Sequence, residues 1–153
     1  MVPKILVVDD VPANLVVMRR ILNATGADID EASSGDEALM KLIETSYDLI
    51  LMDVQMPVMD GLTATRQIRQ WEIQQDQAHV PIVALTAHAF QSDIESALQA
   101  GCNLHIGKPV RKQRLLDAMD KLLESPSARG VNRVQAPYSL QIGRASVRTP
   151  VTL

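Results

Sequence analysis

Aromatic residues and cysteine are scarce in this chain. Trp, Tyr and Phe together make up 3% of it, too few to build the stacked rings on which single-stranded nucleic acid rests. Cys102 is the only cysteine, so no disulfide framework is expected and a reducing cytoplasm suits the protein. No apolar stretch nears the roughly 20 residues of a membrane span. The opening "MVPKILVVDD" follows its short apolar run with two acids instead of the small residues of a cleavage site, so no export signal is expected. There is no GxxxxGKS/T loop and no GxGxxG to cradle the phosphates of a nucleotide. These absences steer away from secretion, membranes and nucleotide binding.

What is present fits one ordinary domain: 153 residues are too few for two comfortable ones. The net charge of −3 hides an asymmetry. Residues 1–124 carry 11 Lys and Arg against 18 Asp and Glu, a net −7, whereas residues 125–153 carry four arginines and no acid, a net +4. The body is acidic and the tail, "SPSARGVNRVQAPYSLQIGRASVRTPVTL", is basic. Twenty-nine residues cannot hold an output domain of the usual size, and four arginines without aromatics are thin support for nucleic acid, so DNA binding is not expected. A disordered basic arm is the expectation for this composition, although "YSLQI" and "ASVRTPVTL" alternate as strands do, which would suit a tail held by a partner subunit or by the acidic body.

Through residues 1–124, apolar runs of strand length alternate with segments of helical period. "KILVV" (4–8) reads as a strand covered on both faces. A helix follows from Pro12, with Leu15, Met18, Ile21 and Leu22 inward and Gly26 closing it. "DIDEA" (28–32) is a polar strand suited to a sheet edge. Ser34 with Glu37 three residues on has the form of a capping box for a second helix. "DLILM" (48–52) and "PIVALT" (81–86) are buried strands separated by a helix from Leu62 to about Gln74. Phe90, Ile94, Ala97 and Leu98 mark a fourth helix ending near Gly101. "NLHI" (103–106) is a last strand, and Val110–Glu124 a last helix with Leu115, Met119, Leu122 and Leu123 inward. Five strands in strict alternation with five helices predict an α/β fold: a parallel sheet with right-handed crossovers and helices on both faces.

In such sheets the working crevice lies beyond the carboxyl ends of the strands. The residues there are Asp9 and Asp10 after the first strand, Asp53 after the third, Thr86 after the fourth, and Lys108 with Pro109 after the fifth. Two unit charges about 4 Å apart repel by roughly 4 kcal/mol at an effective dielectric near 20. Three carboxylates would therefore oppose folding by on the order of 10 kcal/mol, as much as a whole domain's stability. Either some stay protonated or a cation sits among them. A hard ion that keeps open positions for water and phosphate oxygens suits the set, Mg²⁺ (or Mn²⁺) above all. The pattern points to a site that gathers a metal and a phosphoryl group, with Lys108 as a second positive charge.

Taken together, "VVDD" (7–10), "LILMDVQMPVMDG" (49–61), "ALTA" (84–87) and "GKP" (107–109) resemble the receiver domain of two-component response regulators, in order and with that family's spacing over about residues 4–124. The resemblance implies a flavodoxin-like (βα)5 fold with strand order 2-1-3-4-5. It implies Asp53 as phosphoacceptor, and Mg²⁺ held by Asp9, Asp10, Asp53 and the backbone carbonyl of Gln55. Thr86, the backbone of Ala87 and Lys108 would bind the phosphoryl group, with a cis bond between Lys108 and Pro109. It implies further that Gln55 and His88 modulate phosphoryl lifetime. At His105 the family usually carries a Tyr or Phe whose rotamer couples to the switch hydroxyl. The imidazole here puts that aromatic switch in doubt and offers pH sensitivity instead; a partly exposed strand histidine without a role is the plainer reading.

The implied partners are a sensor histidine kinase or a histidine phosphotransfer protein, and a downstream protein target, with the last helices as a surface for a homodimer. The implied role is a phosphorylation-gated switch or phosphorelay shuttle, not an enzyme in the ordinary sense. "DVQMPVMDG", "ALTAHAF" and Asn14 resemble receivers attached to hybrid sensor kinases. Against this stand a phosphatase with an aspartyl nucleophile, whose two acids lie one residue apart after the first strand, and a flavin carrier, whose phosphate three acids would repel. Asp60 reads as a turn former, Met52, Met56 and Met59 as packing, Cys102 as a small buried side chain, and His79 as a loop residue. "WEIQQDQAH" (71–79) extends the third helix or its exit loop without an evident reason.

Overall fold

The structure is a computed structural model that describes residues 2–88 and 90–123. The tail expectations therefore lie outside the described residues. Ten elements alternate: β1 (Lys4–Val8), α1 (Pro12–Asn23), β2 (Asp28–Ala32), α2 (Gly35–Glu44), β3 (Leu49–Asp53), α3 (Gly61–Gln74), β4 (Ile82–Thr86), α4 (Gln91–Ala100), β5 (Leu104–Gly107) and α5 (Lys112–Leu123). All pairings are parallel, in the order β2-β1-β3-β4-β5. The order predicted by the family resemblance is the order found, with the polar strand β2 at one edge.

Strand alternation divides the core into two layers. Leu6, Val8, Ile50, Met52, Ile82 and Ala84 face α2, α3 and α4. Ile5, Val7, Leu49, Leu51, Val83, Leu85 and Ile106 face α1 and α5. β3 and β4 are buried at every position, which is why both read as unbroken apolar runs instead of alternating ones. Each fully buried Leu or Ile contributes about 1.5–3 kcal/mol relative to exposure.

Several local expectations need correction. β3 runs one residue later than "DLILM", so Asp53 is the last rung of the ladder, opposite Leu85. α1 ends at Asn23, where the Thr25 hydroxyl donates to the Leu22 carbonyl at 2.6 Å. Gly26, with φ of +78°, makes the turn into β2. The capping box is half formed. Glu37 N–H donates to Ser34 Oγ at 3.1 Å, but the Glu37 carboxylate accepts from the N–H and hydroxyl of Ser33, one residue earlier than predicted. Of the residues that mark the fourth helix, Ala97 is buried, together with Ala100, whereas Leu98 on α4 and Phe90 at its N-cap are 42% and 67% exposed. Cys102 is buried, and Met52 and Met56 pack in the core, as expected.

Candidate functional site

Asp53 closes an apolar strand and is itself 1% exposed. The chain then leaves the sheet through a tight loop. Val54 N–H donates to the Leu85 carbonyl at 2.9 Å, and Gly61 N–H returns to the Val54 carbonyl at 2.8 Å. A side chain at Gly61 would collide with the Asp53 carbonyl oxygen, so only glycine permits this closure. Between them, Met59 N–H donates to the Pro57 carbonyl at 2.7 Å around Val58, whose φ is +68°. That is a γ-turn of the rare left-handed kind, strained for a β-branched residue, and Val58 is fully exposed. Asp60 is the N-cap of α3, accepting from Thr63 N–H at 2.8 Å; it holds the helix start, as a turn former should, and points away from any ligand role.

The predicted acids converge. One oxygen each of Asp9, Asp10 and Asp53 lie within 4.8 Å of one another. Asp9 and Asp53 are buried and Asp10 half-buried. Asp9 Oδ1 also accepts from Val11 N–H at 2.9 Å, fixing the turn into α1. From the far side of the crevice Lys108 Nζ reaches Asp53 Oδ1 at 2.8 Å and Asp9 Oδ2 at 3.5 Å. The Lys108–Pro109 peptide is cis. Asp53 Oδ1 accepts a further bond from Gln55 N–H at 3.3 Å. Among the described residues nothing bonds to Asp53 Oδ2 or to the Asp10 carboxylate.

Three carboxylates thus face one ammonium, and the imbalance appears in their protonation. Burial, and after it the Asp9 charge, push the Asp53 carboxyl above its ordinary value despite the Lys108 hydrogen bond. Burial would lower the Lys108 ammonium, but its hydrogen bond to Asp53 and the charges of Asp53 and Asp9 outweigh that and hold it above its ordinary value. Asp53 gains less from Lys108 than it loses in solvation and to its acidic neighbour. Unspent negative charge on hard oxygens is what a small divalent cation requires, so the residues present fit the Mg²⁺ that the pattern implies.

Thr86 is the last residue of β4, paired with Gly107. Its hydroxyl donates to the His88 carbonyl at 2.7 Å and accepts from His88 N–H at 3.1 Å. Ala87 is exposed at the rim. His88 and Gln55, both exposed, meet across the crevice, with Gln55 Nε2 3.1 Å from His88 Nδ1. His105 sits half-buried on β5 opposite Ala84. It borders a small cavity of about 120 Å³ with Arg114 and Asp117, and no hydrogen bond among the described residues joins it to Thr86. Beside the acids a groove of about 450 Å³ is lined by Asp9, Asn14, Val17, Met18, Leu85, Lys108, Pro109 and Val110.

The sequence pattern missed a second buried ionic group, at the other end of the sheet. Arg69 and Glu72 on α3 pair at 2.8 Å, both nearly fully buried. Arg69 also donates to the Gly101 carbonyl at 3.0 and 2.8 Å and to Asn103 Oδ1 at 3.0 Å. Glu72 accepts from Val80 N–H at 2.8 Å. This cluster gives the "WEIQQDQAH" extension its reason, since it ties the exit of α3 to the entry of β4. The available signal was an Arg and a Glu three apart within a helix whose apolar positions flank them.

A family model for the response regulator receiver domain matches residues 5–120. The sensor protein GacS of Pseudomonas syringae pv. syringae is 42% identical over 119 residues, which cover 78% of this chain and 13% of GacS. The chain therefore spans about an eighth of the length of that relative. A crystal structure of the receiver domain of the sensor histidine kinase PA1611 from Pseudomonas aeruginosa PAO1, with a magnesium ion coordinated in its active site cleft, is 38% identical with a TM-score of 0.73, covering 82% of this chain and 100% of that one. The receiver domain of Ssk1 from Saccharomyces cerevisiae, solved with the histidine phosphotransfer protein Ypd1, is 34% identical with a TM-score of 0.71, covering 89% and 94%.

Proposed function

The chain belongs to the family of response regulator receiver domains, and from that premise we propose that Asp53 takes up a phosphoryl group from a phosphohistidine on a sensor histidine kinase or a histidine phosphotransfer protein. The observation that carries the reading is a buried strand-end carboxylate, within 4.8 Å of two more, that keeps one oxygen unbonded while Lys108 holds the other at 2.8 Å. The free Oδ2 attacks phosphorus; the O–P bond forms as the N–P bond breaks, and the imidazole leaves. Catalysis here is positioning and charge neutralisation, because the transition state spreads its charge over the equatorial phosphoryl oxygens.

Asp9, Asp10, the Asp53 carboxylate and the Gln55 carbonyl would hold Mg²⁺, a reading that the magnesium in the PA1611 receiver cleft supports. The ion supplies the positive charge that three acids and a phosphoryl group need in order to share the crevice. Lys108 pairs with a phosphoryl oxygen. Thr86 gives up its bonds to His88 to donate to another, and the backbone of Ala87 lies beside it. That exchange is the two-state element of the switch. Gln55 and His88 modulate how long the phosphoryl group survives. Residues 1–124 form the receiver and 125–153 a basic extension, and a downstream protein reads the switched state.

Intact mass after incubation with acetyl phosphate and Mg²⁺ tests this. One phosphoryl adduct is expected on the wild type and none on Asp53→Asn. An undiminished adduct on the variant would overturn the assignment.

A further inference from the structure

We propose that Phe90 is a positioning residue that prolongs the life of the phosphoryl group by bracing His88 against Gln55 across the mouth of the crevice. This rests on Asp53 as the acceptor and deepens that reading. Gln55 follows Asp53 by two residues and His88 follows Thr86 by two, so their side chains rise from opposite banks and meet at 3.1 Å. The Phe90 ring lies nearly parallel to the His88 ring, with centroids 6.1 Å apart and planes 12° from each other. Phe90 is 67% exposed at the N-cap of α4 and contributes no cap hydrogen bond. Neither core burial nor capping explains it; the stacked imidazole does.

The brace matters most once the switch has moved. At rest, the Thr86 hydroxyl pins the backbone of His88 through two bonds. When Thr86 turns to the phosphoryl group it releases both, and the Gln55 hydrogen bond and the Phe90 ring are then the described contacts that hold the His88 side chain. Hydrolysis requires a water oxygen to attack phosphorus opposite Asp53, from the solvent side. As that bond forms, the bond from phosphorus to the Asp53 oxygen breaks, the carboxylate leaves with the electron pair, and the water's oxygen and protons depart in inorganic phosphate. In this proposal the Gln55–His88 contact, two residues beyond Asp53 on one side and Thr86 on the other, screens that line of approach, and a loosely held bar excludes water poorly.

The test uses the full chain labelled with acetyl phosphate and Mg²⁺, freed of donor, with the adduct followed by intact mass. Phe90→Ala and Phe90→Leu are expected to shorten the half-life roughly two- to tenfold, the range that loss of one aromatic stack corresponds to. The rate of labelling should stay as in the wild type, and Phe90→Tyr should keep the wild-type half-life. Half-lives unchanged in Phe90→Ala, or a Phe90→Leu as long-lived as the wild type, would overturn the brace while leaving the acceptor intact. A wild type that takes no label would overturn the acceptor reading and the brace with it.

Discussion

The two ends of the sheet bury charge in opposite ways. At the amino ends of the strands, Arg69 pairs with Glu72, and each carboxylate oxygen of Glu72 has a donor, Arg69 for one and Val80 N–H for the other. At the carboxyl ends, Lys108 reaches Asp9 and Asp53 only, and neither the Asp10 carboxylate nor Asp53 Oδ2 has a bonded partner among the described residues. A buried pair with its bonds complete fixes geometry. A buried surplus costs stability, and it persists where the missing charge arrives from outside. The contrast separates a strut from a site without appeal to any relative.

The largest expected effect comes from breaking the strut. Arg69→Ala removes the buried guanidinium that pairs with Glu72 and bonds Gly101 and Asn103, and should destabilise the fold by about 3–5 kcal/mol in urea unfolding. Replacing both partners with apolar residues of similar size should cost much less. The site should answer with the opposite sign when its charge is balanced. Mg²⁺ at a hundred times its dissociation constant should stabilise the wild type by about 2.7 kcal/mol, and the gain should shrink sharply in Asp10→Asn; equal gains in both would remove Asp10 from the metal set.

A smaller effect sharpens the contrast through pH. The Asp53 carboxyl is raised in the folded state, so the folded protein binds that proton more tightly than the unfolded chain. Its contribution therefore favours folding at low pH and is lost as pH rises through the raised value. Asp53→Asn should thus be the more stable protein at pH 7 in metal-free buffer, by roughly 1 kcal/mol. The advantage should vanish as pH falls and the wild-type carboxyl is protonated; a variant less stable than the wild type at pH 7 would show Lys108 fully compensating the charge. The smallest effect lies in the loop that follows. Val58→Asn places at φ +68° a residue that tolerates it and should raise stability by about 0.5 kcal/mol, read as a small rise in the denaturant midpoint.

The site was far more legible in the sequence than the strut. Asp9, Asp10, Asp53 and Lys108 stand out because apolar strands end on them, and a parallel sheet brings all strand ends of one sense together. Burial of Arg69 and Glu72 depends on how the last turn of α3 meets Gly101 and Asn103, thirty residues away in sequence, and periodicity holds no record of that contact. Phe90 and Leu98 marked the fourth helix without showing which of its faces is buried. Their spacing is helical, but α4 presses its alanines inward and leaves the larger side chains to solvent. The half-formed capping box shows the finest scale: Glu37 found two donors on Ser33 in place of one on Ser34.

Among the described residues the sheet has two open margins, and each discourages growth differently. β2 presents Asp28, Asp30 and Glu31 along one, and all three already engage Lys4 or Arg19. β5 offers only four residues along the other. Charge on one side and brevity on the other leave little template for a foreign strand. Molecules gathered at high local concentration around a signalling complex should therefore stay separate instead of stacking into continuous β-structure.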